Sequence, residues 1–93
     1  MKFVMMGWDG PEGEEKRKAL RPGHLEQLKR LDSQGRLVLA GPFSDKSGSL
    51  VVIEMDSLEE ARAFVQSDPY VKGGVFKQID LRPFTQVFPV STS

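Results

Sequence analysis

Two segments of the chain are apolar on both of the faces that a β-strand presents. Lys2–Trp8 has no polar residue after Lys2, and Ser49–Met55 contains the apolar run Leu50–Ile53. Because successive side chains of a strand point to opposite faces, strands of this kind are buried on both faces. They predict the central strands of a sheet, and both faces of that sheet must be covered.

Two further segments predict outer strands. Arg36–Phe43 is interrupted by Gly41-Pro42, and proline in a sheet is confined to edges and strand ends. Val75–Phe84 alternates partly between apolar and charged residues, which indicates one exposed face. Thr85–Phe88 is short and apolar enough to add one more strand.

The first helix is predicted at Pro22–Gln34. Proline is common at a first helical position, leucines follow at helical spacing, and Gly35 is a suitable C-terminal cap. The highly charged stretch Glu12–Arg21 before it predicts a solvated connection or one loose helical turn.

The second helix is predicted at Leu58–Ser67. Ser57 and Glu60 have the spacing of a capping box, and Asp68-Pro69 ends the helix. Residues 68–74 then predict a turn or a short helical connector.

The order β-α-β-β-α-β is that of the ferredoxin-like, split-βαβ arrangement, in which the first and third strands are central. The predicted fold is therefore α+β, an antiparallel sheet with two helices on one face. A length of 93 residues fits one domain, residues 1–93, with a frayed tail at about 89–93.

Two helices cover one face of such a sheet, so the second apolar face predicts a partner. Monomers rarely expose large apolar patches, and a two-fold homodimer that packs sheet against sheet would cover this one. The alternative is a monomer in which the residues after Phe84 cover the face.

Composition excludes several other kinds of protein. The formal net charge is zero, with 13 basic and 13 acidic residues, which argues against a nucleic-acid partner. No apolar run reaches the roughly 18 to 20 residues of a membrane span, and the apolar N-terminal stretch is too short for a secretory signal. The chain has no cysteine and one histidine, which excludes thiolate chemistry and multi-histidine metal sites. We expect a cytoplasmic protein.

His24 and Asp68 are the candidate catalytic residues. Positions 24, 28 and 31 share one helix face, so His24 points toward the sheet with Leu28 and Leu31. It is either a hydrogen-bonded core histidine or a general acid/base, since a free imidazole titrates at about pH 6.5. Asp68 is either a turn former before Pro69 or a carboxylate that orients His24.

Five more residues are candidates for substrate binding. Arg21 lies one turn before His24 and is suited to an anionic group, while Gly41 and Pro42 allow close approach of a ligand to backbone. Trp8 and Tyr70 are suited to pocket walls. Surface exposure, strand termination and core packing are the ordinary roles of these residue types.

The segments Arg21-Pro22-Gly23-His24-Leu25, Ala40-Gly41-Pro42 and Asp68-Pro69-Tyr70-Val71 resemble those of the YciI-like (YCII-related) proteins. The resemblance extends from Lys2 to about Phe88. It implies a dimeric α/β-barrel fold, similar to muconolactone isomerases, and an active site with a histidine and an aspartate, which correspond to His24 and Asp68. Within the family it also implies a link to dehydrochlorinase-type lyase chemistry.

The sequence is compatible with two functions and disfavours a third. The first is a small cofactor-free enzyme, isomerase-like or lyase-like, in which His24 and Asp68 move protons on a small cyclic or aromatic metabolite. The second is a non-catalytic dimeric module that binds a small molecule or serves as an accessory subunit. RNA binding on the sheet is disfavoured, because Val51, Val52 and Ile53 offer no aromatic platform.

Overall fold

The computed structural model describes residues 1–90, which form a four-stranded antiparallel sheet with helices on one face. The strands are β1 (Lys2–Asp9), β2 (Leu37–Pro42), β3 (Gly48–Glu54) and β4 (Phe76–Phe84). Their order in the sheet is β2-β3-β1-β4, which confirms that the first and third strands are central. Pro42 ends the outer strand β2, where its missing N–H leaves no gap in a central hydrogen-bond ladder.

The helix-covered face of the sheet holds the core. Phe3 and Met5 of β1 lie beside Ile53 and Val51 of β3, and all four are at most 2% exposed. Leu31 packs on this cluster from the first helix. At about 25 cal/mol per Å² of apolar area removed from water, this cluster is the main stabilising element of the chain.

The opposite face of the sheet, called the open face below, is also apolar at its centre. It contains Val4 and Met6 of β1, paired with Val52 and Leu50 of β3, and Leu39 of β2 at the edge. Leu39 is 50% exposed, whereas Val52, in the central strand β3, is 8% exposed. The central strands are therefore apolar on both faces, but among residues 1–90 the helices cover only one of them.

The first helix, α1, spans Gly13–Ser33 and is longer than the predicted Pro22–Gln34. Residues 13–21 of the stretch Glu12–Arg21 are helical and not a solvated connection, because glutamate, lysine, arginine and alanine are strong helix formers. Pro22 lies inside the helix and removes the hydrogen bond to the carbonyl of Lys18. Both residues are exposed, so water can satisfy that carbonyl.

The C-terminal end of α1 and both ends of the second helix agree with the prediction. Gly35 has φ of 73°, and the N–H of Arg36 donates to the carbonyl of Leu31 at 3.1 Å, which closes α1. The second helix, α2, spans Leu58–Ser67 as predicted, and Ser57 Oγ accepts from the Glu60 N–H at 3.1 Å. The capping box is only half formed, since the Glu60 carboxylate binds Arg36 instead.

A short helix, α3, spans Pro69–Lys72 and joins α2 to β4. Residues 85–90 form no strand, so the extra strand predicted at Thr85–Phe88 is wrong. The frayed tail was predicted at 89–93, and its last three positions lie outside the described residues. No helix among residues 1–90 is long and apolar enough to cross a membrane.

Candidate active site

His24 and Asp68 meet between α1 and α3. The helical stripe of α1 turns His24 toward the sheet, and its Nδ1 lies 2.8 Å from Asp68 Oδ1. The two side chains are 10% and 3% exposed. A histidine and an aspartate that are 44 residues apart in the chain therefore form one buried pair.

The position of Asp68 follows from the start of α3. Its Oδ1 accepts from the Tyr70 N–H at 2.9 Å, which is an N-terminal cap, and the same oxygen contacts His24. Because an ionised carboxylate only accepts hydrogen bonds, the shared proton belongs to Nδ1 of His24. In the neutral form of such a ring Nε2 carries the lone pair, and it is the nitrogen left for a molecule beside it.

Tyr70 holds the other side of the imidazole. Its ring stacks on the ring of His24 with 3.8 Å between centroids and 9° between planes. Phe76 packs edge-on against Tyr70 at 6.2 Å, and Gly7 leaves room for the Phe76 ring, which a Cβ at position 7 would approach to 2.7 Å. Stacking and hydrogen bonding thus fix both the plane and the tautomer of His24.

Arg17 lies above the aromatic pair. It forms a two-pronged salt bridge with Asp9, at 2.8 and 2.7 Å, and donates to Ser49 Oγ at 2.8 Å. Its guanidinium carbon is 5.1 Å from the centroid of the Tyr70 ring. The hydrogen bond to Asp9 raises the pKa of Arg17 above its ordinary value, although burial opposes this. Arg17 is therefore permanently charged and held in one orientation.

A cavity of about 320 Å³, called the inner cavity below, opens beside His24 between α1 and strands β2 and β3. Its apolar wall is built by Leu25, Leu28, Ala40 and Val51. Its polar wall is built by Arg17, Arg21, His24, Ser49 and Tyr70. Gly41 and Pro42 complete the rim. Such a cavity, largely apolar with a few convergent polar groups, is typical of small-molecule sites.

The structure brings most of the candidate residues together. Arg21, Gly41, Pro42 and Tyr70 line the inner cavity with His24, and Asp68 lies directly behind the imidazole. No group of three or more His, Cys, Asp or Glu side chains within residues 1–90 is placed to hold a metal ion.

Trp8 does not join this set. It lies on the open face, where its ring stacks on Phe43 at 5.6 Å and its Nε1 donates to Asp80 at 3.3 Å. The reason is strand alternation, since Gly7 faces the helices and the next side chain must face away from them.

Two residues of the site were missed by sequence reasoning: Arg17 and Ser49. Arg17 was assigned to a solvated connection because Pro22 was interpreted as a helix start. Extending the helix backward would have placed Arg17 on the stripe of His24, because positions 17, 21, 24, 28 and 31 follow helical spacing. Ser49 carries no such signal, since its partner lies 32 residues away.

Comparison with known proteins agrees with this architecture. Residues 1–85 match the family described as the YCII-related domain. Protein YciI of Escherichia coli O6:H1 is 38% identical over 98 residues, which covers 95% of this chain and 100% of the relative. An uncharacterized protein of Haemophilus influenzae is 36% identical with the same coverage.

Among solved structures, a similar chain is 5-chloro-2-hydroxyhydroquinone dehydrochlorinase (TftG) from Burkholderia phenoliruptrix AC1100, in complex with 2,5-dihydroxybenzoquinone. The TM-score is 0.80 at 26% sequence identity, and the match covers 91% of this chain and 94% of that one. TftG has a dimeric α/β-barrel fold. The α+β, ferredoxin-like prediction is thereby confirmed.

Proposed function

This chain belongs to the YCII-related family, and we propose that it is a small enzyme that moves protons with a His-Asp pair and without a cofactor. The observation that carries the proposal is the buried contact of His24 Nδ1 with Asp68 Oδ1 at the wall of the inner cavity. A carboxylate on one ring nitrogen makes the other nitrogen a better base and stabilises the imidazolium that forms.

The proposed step is proton abstraction by Nε2 of His24 from a C–H or O–H bond of the substrate. In an isomerisation, the electron pair of that bond shifts into the substrate and the imidazolium returns the proton to a different atom. In an elimination, the same electron pair forms a double bond while a leaving group departs with its own pair. Asp68 stays ionised throughout, and Tyr70 keeps the imidazole plane in place.

Two features support a small cyclic or aromatic, enol- or carbonyl-bearing substrate. The inner cavity is lined by the stacked His24 and Tyr70 on one side and by the aliphatic side chains of Leu25, Leu28 and Val51 on the other. The similar structure TftG is a dehydrochlorinase named for a chlorinated hydroxyhydroquinone and binds a dihydroxybenzoquinone. Both compounds are rings that carry hydroxyl or carbonyl oxygens.

The test is a solvent-exchange assay that does not require the reaction to be known. The protein is incubated in D₂O with a panel of small cyclic ketones, lactones and hydroxyquinones, and loss of C–H signals is followed by proton NMR. Chloride release is measured with 5-chloro-2-hydroxyhydroquinone. For an active compound, His24→Ala is expected to lower kcat/KM by about 100-fold or more, and Asp68→Asn by about ten-fold or more.

Lys29→Ala is the matched control, because Lys29 is exposed on the same helix and lies away from the cavity. Unchanged kcat/KM in both His24→Ala and Asp68→Asn would refute the proposal. Ligand-induced NMR shifts of the His24 ring without any exchange or elimination would favour the second hypothesis, a non-catalytic binding module that uses the same cavity.

We further propose that residues 1–93 form one domain, that two copies pair through the open face, and that the protein acts in the cytoplasm. The apolar residues of the open face support the pairing, as does the dimeric fold of TftG. Zero net charge supports it as well, since two identical surfaces then meet without large repulsion.

A further inference from the structure

A second, outer cavity of about 530 Å³ adjoins the inner cavity. The two share Arg17, Arg21 and Pro42 as lining residues, so these side chains lie at the boundary between them. Arg17 and Arg21 therefore form the junction at which a polar group of a ligand would lie.

Charge pairing in the outer cavity leaves one cation without a partner. Asp9 neutralises Arg17 at 2.7 Å, and Glu14 lies 3.9 Å from Lys46. Arg21 also lines this cavity, and it has no salt-bridge partner among residues 1–90. The lining therefore carries a net positive charge, located at the junction.

Arg17 is not available to a ligand in the same way. Its Nε and Nη2 are occupied by Asp9 and Ser49, and its charge is compensated. Arg21 lies one helical turn farther along α1 and is exposed, so its guanidinium is free to form a two-pronged contact with an anion. It also precedes His24 by one turn on the same stripe.

We infer that Arg21 binds an acidic oxygen group of the substrate, so that the ligands of this site are small ring compounds carrying a carboxylate or an ionised enol. The anionic group lies at the junction, and the ring fills the inner cavity against Tyr70, which brings it to Nε2 of His24. This inference deepens the proposed function, on which it rests, by specifying the charge of the substrate.

The test compares benzoate with benzamide, which have similar size and shape but differ in charge. Binding is measured by NMR titration of the backbone amides around the inner cavity. We expect benzoate to bind about ten-fold more tightly than benzamide, because a charged partner strengthens a hydrogen bond. Arg21→Gln should remove this preference by weakening the binding of benzoate, and added NaCl should weaken benzoate binding to the unmodified protein.

Lys29→Gln is the matched control, because it removes one positive charge from the exposed surface of the same helix and should keep the preference. Equal affinities for the two probes, no binding of either, or a benzoate preference that survives Arg21→Gln would overturn the inference. His24→Ala should keep the preference, so failure of the proton-transfer proposal and failure of anion recognition are distinguishable.

Discussion

At the scale of single residues, one oxygen atom holds the candidate site together. Asp68 Oδ1 accepts from the Tyr70 amide and from His24 Nδ1, and the side chain is 3% exposed. A buried acceptor with two donors is expensive to remove, since each donor then loses its partner away from water.

Asp68→Ala should therefore destabilise the protein by about 2–3 kcal/mol, from the lost cap and the unpaired imidazole. Asp68→Asn should cost less, because its amide oxygen can still accept from the Tyr70 N–H. Urea denaturation of the two variants measures both values. Equal stability of Asp68→Ala and the unmodified protein would contradict the assignment of these hydrogen bonds.

Gly7 is a second residue on which the site depends. A Cβ there would lie 2.7 Å from the Phe76 ring, which supports Tyr70. Gly7→Ala should cost about 1–3 kcal/mol by overpacking and should shift the NMR signals of His24 through the displaced aromatic rings. Gly41→Ala is the stability control, since a Cβ there meets nothing within 4 Å. Similar losses in both variants would argue against overpacking as the cause.

The direction of a side chain was predicted correctly from the sequence where apolar residues share its face of a helix. It was predicted wrongly where both faces of a strand are apolar. His24 was expected to face the sheet because Leu28 and Leu31 share its stripe. Trp8 was placed at the pocket, yet β1 is apolar on both faces and nothing in it tells which face the helices cover. The contact of His24 with Asp68 depends on tertiary packing, which no spacing in the sequence reveals.

At the scale of elements, α1 carries a proline in its interior. An interior proline costs a helix about 3 kcal/mol, and Pro22 is exposed, so no packing contact of its ring compensates for that cost. We expect Pro22→Ala to raise the free energy of unfolding by about 1–3 kcal/mol, as measured by urea denaturation. A decrease instead would show that the proline is needed for α1 to pack on the sheet.

Helix boundaries were predicted well where a specific residue type ends the helix, either a glycine with positive φ or a side chain that caps the backbone. Gly35 at φ of 73° and the Ser57 cap mark helix ends that the sequence already indicated. Pro22 led to a wrong boundary, because proline is common at the first position of a helix but also occurs inside helices. The first half of α1, which contributes Arg17 and Arg21, was therefore assigned to a loop.

At the scale of the whole molecule, the open face predicts self-association. We expect light scattering at micromolar concentration to give twice the 10.4 kDa mass of one chain. Leu39→Lys should shift the mass toward one chain, because a charge would then lie in the apolar contact. Leu39 is half exposed in the single chain, so the variant should still fold.

Leu58→Lys is the matched control for that experiment, since Leu58 is a partly exposed leucine at the start of α2 and away from the open face. A mass near 10.4 kDa for the unmodified protein would show that residues 1–90 suffice without a partner.

The strand order was predictable at this scale, because strands that are apolar on both faces are central and a strand that contains proline lies at an edge.

The cap on α3 also ties the state of the active site to one backbone amide. The Tyr70 N–H can exchange with solvent only when it leaves Asp68 Oδ1, and we expect a movement of the Asp68 side chain that opens this bond to release the imidazole of His24 as well. The hydrogen-exchange rate of this single amide therefore reports how often the His24–Asp68 contact opens, and it can be measured before any substrate is identified.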